Sequence, residues 1–335
     1  KVPEHLLPPS LQSVINILDP DGLRLPTFYI YDSYNEELHK LRKRKRELQK
    51  MTDIDNNEIL NSELLEIENK LVELEKEILK MLSSKLSKHI FLLLDSVEKI
   101  KYLDVIISKA KLAVKLGLSR PKILRRNLNN NNFTIKISGM FNPQLREELE
   151  SKKKVYQPVD ITVTPGVTVI VGANMSGKSV VLRTVALIQY MAQLGFFVPA
   201  RDCETEYLEH IALICEDFQK PLSGLSSFGA EILLINEALD LSRKSKGLVL
   251  IDEPARTTNP YEGTAIVNAI VESFKTLDCY TLIVTHLDYV NAPRRLRVKG
   301  LKNEVKTLPE KVNGKANELL SMLQDYIDYQ LVESA

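Results

Sequence analysis

Apolar residues in the first third of the chain recur at helical spacing. Tyr34 to Met51 is rich in Leu, Lys, Arg and Glu, and Thr52 to Asn57 breaks the pattern before a second helical stretch begins. In that second stretch Leu64, Ile67, Leu71, Leu74, Ile78 and Met81 fall at alternating steps of three and four, the spacing of a coiled-coil seam. A seam needs a partner helix. The first stretch offers Tyr34, Leu38, Leu41 and Leu48 on a similar stripe, interrupted by Lys45, so the pattern predicts an antiparallel helical hairpin. The helical run continues through Ile90-Phe91-Leu92-Leu93-Leu94 to Leu116 and stops at Gly117, with Pro121 beyond. That stretch is too apolar for a free hairpin arm and is expected to pack against a core.

Asn127 to Asn132 reads as a turn-prone loop. Phe133 to Ile137 and Ile161 to Thr164 then alternate like half-buried strands. From Thr168 onward, strand-like runs at 168–171, 247–251 and 281–285 alternate with helical segments at 179–194, 231–242 and 262–274. This order predicts an α/β sheet whose strands are buried on both faces. Leu319, Leu320, Leu323, Ile327 and Leu331 predict an amphipathic helix over 316–331. No period typical of solenoids or propellers is present.

Composition changes this picture little. The chain has 335 residues, enough for more than one domain, with 44% hydrophobic and 27% charged residues. Mean hydropathy is -0.13, and no apolar run approaches the roughly 18 residues that span a bilayer. The first residues lack the order of a signal peptide, so a cytoplasmic location is expected. The chain opens on Lys1 and not Met, which leaves open further domains upstream. Cys203, Cys215 and Cys279 are odd in number and widely spaced, and read as reduced core residues. The net charge of +1 points to no partner by itself.

Four segments carry chemistry. Gly172-Ala173-Asn174-Met175-Ser176-Gly177-Lys178-Ser179 fits GxxxxGK[ST] between a Val/Ile strand and a helix that continues through Val180. In such a loop the backbone N–H groups and the helix N-terminus hold phosphate oxygens, because aligned peptide dipoles concentrate positive charge there. Lys178 would reach the β- and γ-phosphates of ATP, and the Ser179 hydroxyl would ligate Mg2+. Leu248 to Ile251 is a buried strand ending in Asp252 and Glu253. Asp252 would help to hold Mg2+, and Glu253 would orient and deprotonate the attacking water. His286 directly follows the strand 281–285, within reach of a γ-phosphate. Ser223 to Glu231 is a Ser/Gly loop opening a helix, with Glu231 a candidate capping group.

With these elements in order, residues 168–290 resemble the ATPase domain of the MutS family of mismatch-repair proteins. Asn174 to Ser179 is similar to that family's N-M-G-G-K-[ST], Gly195 to Ala200 to its G-x-x-V-P-A, Ser226-Ser227-Phe228 to its S-T-F, and Thr285-His286 to its T-H. Tyr102-Leu103-Asp104 and Ser108-Lys109-Ala110 resemble the end of the family's lever helices, which extends the likeness to about Asn35. The resemblance implies a P-loop NTPase domain of ATP-binding-cassette type preceded by a mainly helical lever and clamp domain. It further implies a homodimer with ATP sandwiched between protomers, Ser226 acting in trans, and the levers transmitting closure of the heads. Two departures stand out. Pro254 to Pro260 replaces the usual Gly-Arg-Gly-Thr-Ser-type loop. No mismatch-reading domain is recognisable either, so a short family member is expected.

The expected division is 1–126 as lever and clamp, 127–300 as ATPase domain, and 301–335 as a C-terminal helical segment in a possible dimer contact. Lys40 to Arg46 is the densest basic run. It reads either as a stripe for DNA phosphates or as a solvated face paired with the acidic second arm. Two functions follow: a MutS-like ATPase working on DNA, the preferred reading, or an ATP-driven remodeller of a protein client. For the second, small MutS-like proteins of this kind, lacking the mismatch domain, resemble those associated with adenosylcobalamin-dependent aminomutases, which implies reactivation of the mutase as the role.

Overall fold

The computed structural model describes residues 3–52, 58–124, 133–173, 176–215, 227–256, 258–302 and 326–334. The chain divides into two compact units, Lys1–Ser108 and Lys109–Ala335.

The first unit is helical. After α1 (Gln12–Leu18), the hairpin arms are α2 (Glu36–Thr52) and α3 (Glu58–Ser87). Leu38 and Leu48 of α2 are fully buried against Ile67, Leu71, Ile78 and Leu82 of α3, as the apolar spacing predicts. The interruption at Lys45 is satisfied by Glu68 across the seam at 2.9 Å. Arg42 bonds Glu75 at 2.8 Å and Arg44 bonds Glu63 at 2.8 Å, so the arms run antiparallel with the basic run of one along the acids of the other.

The helix α4 (Ile90–Leu116) departs from its sequence. Its apolar residues were expected to pack against a core, yet within it only Ser96 and Ala113 are buried, while Phe91 is 83% exposed and Val114 85%. Apolar residues on every side of a helix call for cover on every side, and the described residues do not supply it. The boundary between the two units falls inside this helix.

The second unit holds two sheets. The smaller is ordered β1-β5-β2-β3, from β1 (Lys122–Leu124), β2 (Ile135–Met140), β3 (Val159–Val163) and β5 (Asp202–Glu206), with α5 (Pro143–Ser151) between β2 and β3. The larger is ordered β10-β9-β4-β8-β7-β6, from β4 (Gly166–Val171), β6 (His210–Ile214), β7 (Gly247–Asp252), β8 (Tyr280–Thr285), β9 (Arg294–Leu301) and β10 (Ile327–Glu333). All its pairings are parallel except β9 with β10. Side chains alternate across it. Ile170, Leu248, Leu250, Leu282 and Val284 face α6 (Lys178–Gln193), which is itself sandwiched against Ile135, Ile161 and Val163 of the smaller sheet. Val169, Val249, Ile251 and Ile283 face α7 (Ser227–Lys244) and α8 (Pro260–Phe274) on the other side.

The amphipathic helix expected over 316–331 is not formed where the chain is described. Residues 327–333 are a strand antiparallel to β9, and residues 303–325 lie outside the described residues. The apolar residues Ile327, Tyr329 and Leu331 also satisfy a period of two, and the open edge of β9 supplies the hydrogen bonds that decide for the strand. Arg294 fastens this edge, donating to the Thr162 carbonyl of β3 and to Glu333 of β10. Cys203, Cys215 and Cys279 are buried and form no disulfide, as expected. Among the described residues no helix is long and apolar enough to cross a membrane.

Candidate active site

Three parallel neighbours build the site. β4, β8 and β7 lie side by side and end at the same edge, so Gly172 and Ala173 after β4, His286 after β8, and Asp252 and Glu253 at the end of β7 converge there. Groups far apart in sequence meet because parallel strands place their carboxyl ends on one side of the sheet.

Gly177 adopts a left-handed φ of +81° as the N-cap residue of α6, which turns the chain from β4 into the helix and points the first amides of α6 into the loop. Lys178 is 3% exposed, and its Nζ donates to the carbonyls of Gly172 and Ala173 at 2.8 Å each. Burial pushes its pKa below the ordinary lysine value, and Glu253 opposes that shift. The Ser179 hydroxyl donates to Asp252 Oδ1 at 2.8 Å. Burial raises the Asp252 carboxyl above its usual range, with the Ser179 hydrogen bond opposing.

Glu253 lies at the centre. One carboxylate oxygen is 3.7 Å from Lys178 Nζ; the other is 3.7 Å from His286 Nδ1 and 4.0 Å from Arg256 Nε. Its backbone N–H donates to Val284 of β8 at 2.9 Å, and its φ is +49°. Four of the residues singled out in the sequence, Lys178, Ser179, Asp252 and Glu253, are thus in one contact network, with His286 at its rim, 37% exposed. Asn174, Met175 and Ser226 lie outside the described residues. Glu231, read as a cap, reaches a more distant group: its Oε2 accepts from the N–H of Ala255 at 3.3 Å.

Sequence reasoning missed the cavity of about 280 Å³ beside this loop. Met140, Leu145, Val155, Tyr156 and Val159 line one wall, Ser176, Gly177, Val180 and Val181 another, and Tyr329 of β10 closes it. The Ser176 hydroxyl is buried with no hydrogen-bond partner among the described residues, an uncompensated polar atom in a largely apolar lining that also holds Gln157 and Thr184. Tyr329 was hidden by the helical reading of its segment. Tyr156 sits in a stretch with no periodic signal.

These features define an α/β protein with an acid–base cluster at the carboxyl edge of a largely parallel sheet, beside a largely apolar cavity. Residues 168–324 match the family described as MutS domain V. The chain is 32% identical over 225 residues to the DNA mismatch repair protein MutS of Brevibacillus brevis, covering 67% of this chain and 25% of that protein. It is 30% identical over 243 residues to MutS of Thermus thermophilus, covering 71% and 28%, and 31% identical over 248 residues to the endonuclease MutS2 of Caldanaerobacter subterraneus, covering 73% and 30%. Through this domain the chain belongs to the MutS family. It spans between a quarter and a third of the length of these relatives.

Proposed function

We propose that this chain is a MutS-type ATPase that binds ATP with Mg2+ at the 172–179 loop, hydrolyses it with Glu253 as general base, and couples the cycle to action on DNA. The observation that carries the proposal is the convergence of Lys178, Ser179, Asp252, Glu253 and His286 at one sheet edge, at the N-terminus of α6. In this reading the second unit contains a P-loop NTPase domain of ATP-binding-cassette type, the helical unit is its lever and clamp, and the whole is cytoplasmic.

The residues present suit these ligands. The Ser176 hydroxyl, without a partner among the described residues, and the N-terminal amides of α6 are donors that suit an acceptor, the complement of a phosphate chain. The Ser179 hydroxyl and the Asp252 carboxylate form a compact pair of oxygen ligands, the set Mg2+ takes when phosphate oxygens and water complete its shell. Mg2+ would neutralise charge on the phosphates and help to align them. The largely apolar cavity would seat the adenine, with Tyr156 and Tyr329 as aromatic walls.

Hydrolysis needs a water at the γ-phosphorus, attacking as the bond to the β–γ bridging oxygen breaks and ADP leaves. Glu253 takes the water's proton. Lys178, buried and clamped by two carbonyls, binds phosphate oxygens as a fixed positive charge, and His286 is placed to report the γ-phosphate to Glu253. Ser226 of a second copy would complete the site, making ATP the switch of a homodimer.

The relatives' names support DNA over a protein client such as an aminomutase. The basic run divides accordingly. Arg42, Arg44 and Lys45 are engaged by the acidic arm, whereas Lys40, Lys43 and Arg46 are exposed and make no ion pair among the described residues. Those three are the residues we assign to DNA phosphates.

The test pairs two variants and one titration. Glu253→Gln is expected to bind ATP as the wild type does and to lose turnover by at least about a hundredfold, within the range for a lost general base. Lys178→Ala is expected to lose nucleotide binding. Retained turnover in Glu253→Gln refutes the base assignment. ATPase activity that duplex or branched DNA stimulates at low salt, with stimulation fading steeply as salt rises, supports the DNA reading; indifference to every DNA structure overturns it.

A further inference from the structure

The turn that follows Glu253 is unusual. Glu253 and Ala255 adopt φ values of +49° and +59°, a left-handed backbone that residues with a side chain rarely visit. Two such residues in three positions persist only where the surroundings over-determine them. The chain is pinned on each side. Glu253 N–H donates to the Val284 carbonyl at 2.9 Å, and Thr258 N–H closes onto the Ala255 carbonyl at 3.1 Å. Between these pins the Ala255 N–H donates to the carboxylate of Glu231, which reaches across from α7 at 3.3 Å.

Glu231 is only 8% exposed. A carboxylate held that far from water is costly unless donors satisfy it, so its presence calls for a reason. Ala255, its partner, is 3% exposed, and the bond lies inside the protein, away from competing water. We infer that Glu231 is the positioning residue for Glu253: by holding the Ala255 amide it keeps the 253–255 turn left-handed, and the turn in turn aims the Glu253 carboxylate between Lys178 and His286. Released from Glu231, the turn relaxes toward ordinary dihedrals, and the carboxylate swings off the two groups that now stand 3.7 Å from it. This role rests on the reading of Glu253 as the base.

The experiment compares Glu231→Ala and Glu231→Gln with the wild type in four readouts: kcat, affinity for a slowly hydrolysed ATP analogue with Mg2+, thermal midpoint, and hydrogen exchange of the peptide spanning 252–258. Glu231→Ala is expected to lower kcat by about ten- to a hundredfold, the scale of a small misplacement of a reacting group, with analogue affinity changed less than about threefold. Its 252–258 amides are expected to exchange faster. Glu231→Gln keeps an oxygen that can accept from Ala255 N–H, and is expected to restore both kcat and slow exchange. Wild-type kcat in Glu231→Ala overturns the proposal, as does a loss of affinity that matches the loss of kcat, or a glutamine variant no better than alanine. A wild-type protein that turns over no ATP would instead sink the base assignment and the positioning role with it, while the exchange data still report whether Glu231 holds the turn.

Discussion

Replacing Gly177 by alanine probes the junction of loop, helix and cavity in one step. Gly177 sits at φ +81°, and a Cβ there would stand 3.1 Å from Cδ1 and 3.4 Å from Cε1 of Tyr329. The left-handed backbone costs an alanine about 1–2 kcal/mol. Roughly half of that is offset because alanine also restricts the unfolded chain. The crowding adds about 1 kcal/mol, since the Tyr329 ring must give by a few tenths of an ångström. The net expectation is a destabilisation of about 2 kcal/mol, or about 4–8 °C for a unit of this size. Because the loop amides and the aromatic wall both shift, affinity for the ATP analogue should fall by about tenfold or more, equivalent to about 1.4 kcal/mol. Urea unfolding of Gly177→Ala, Tyr329→Ala and the double variant separates the two contributions. Removing the ring relieves the collision but not the backbone strain, so the cycle should show a favourable coupling near 1 kcal/mol. A single-variant cost below about 0.5 kcal/mol, or a coupling of zero, refutes the reasoning.

Two other perturbations test the electrostatics and the frame of the site. Burial holds the Asp252 carboxyl above 3.8. The stability tied to its protonated form is complete below about pH 4 and is lost as the pH rises through the folded value, because the unfolded chain ionises first. Asp252→Asn removes that loss, so without nucleotide the variant should melt above the wild type at pH 7, with the gap closing toward pH 4, while Mg2+-dependent ATP binding disappears; equal melting at pH 7 contradicts the burial argument. Lys109 donates to the Leu194 carbonyl at 2.6 Å and lies 4.4 Å from the centre of the Phe196 ring, capping the carboxyl end of α6. Its charged hydrogen bond and its favourable place on the helix dipole are together worth about 1–2 kcal/mol at this exposed position. Lys109→Met should therefore lower the urea midpoint and quicken amide exchange over 190–196, and unchanged exchange there would show that the cap is not formed.

Much of the site is legible in the amino-acid sequence, because its elements announce themselves locally. A glycine-rich turn between a Val/Ile strand and a helix, or two acids ending a buried strand, is a short-range pattern, and it singles out Lys178, Ser179, Asp252 and Glu253. The hairpin is equally legible, since its seam is a matter of spacing, and the fold resolves the one ambiguity at Lys45 by pairing it with Glu68.

What the tertiary structure decided lies wherever a residue's role depends on a neighbour distant in the chain. Tyr329 belongs to a segment whose apolar residues suit a helix or a strand equally well; the free edge of β9 selected the strand and brought the ring against Gly177. Glu231 reads as a cap in sequence because capping is a local interaction, yet its carboxylate meets Ala255, twenty-four positions away. The apolar run of α4 marked a helix correctly but could not say whether anything covers it, for hydrophobicity records a demand for burial and not its supply. Periodicity and turn chemistry determined the elements and most of the catalytic candidates. The order β4-β8-β7 in the sheet, which no local pattern encodes, turned those candidates into one site.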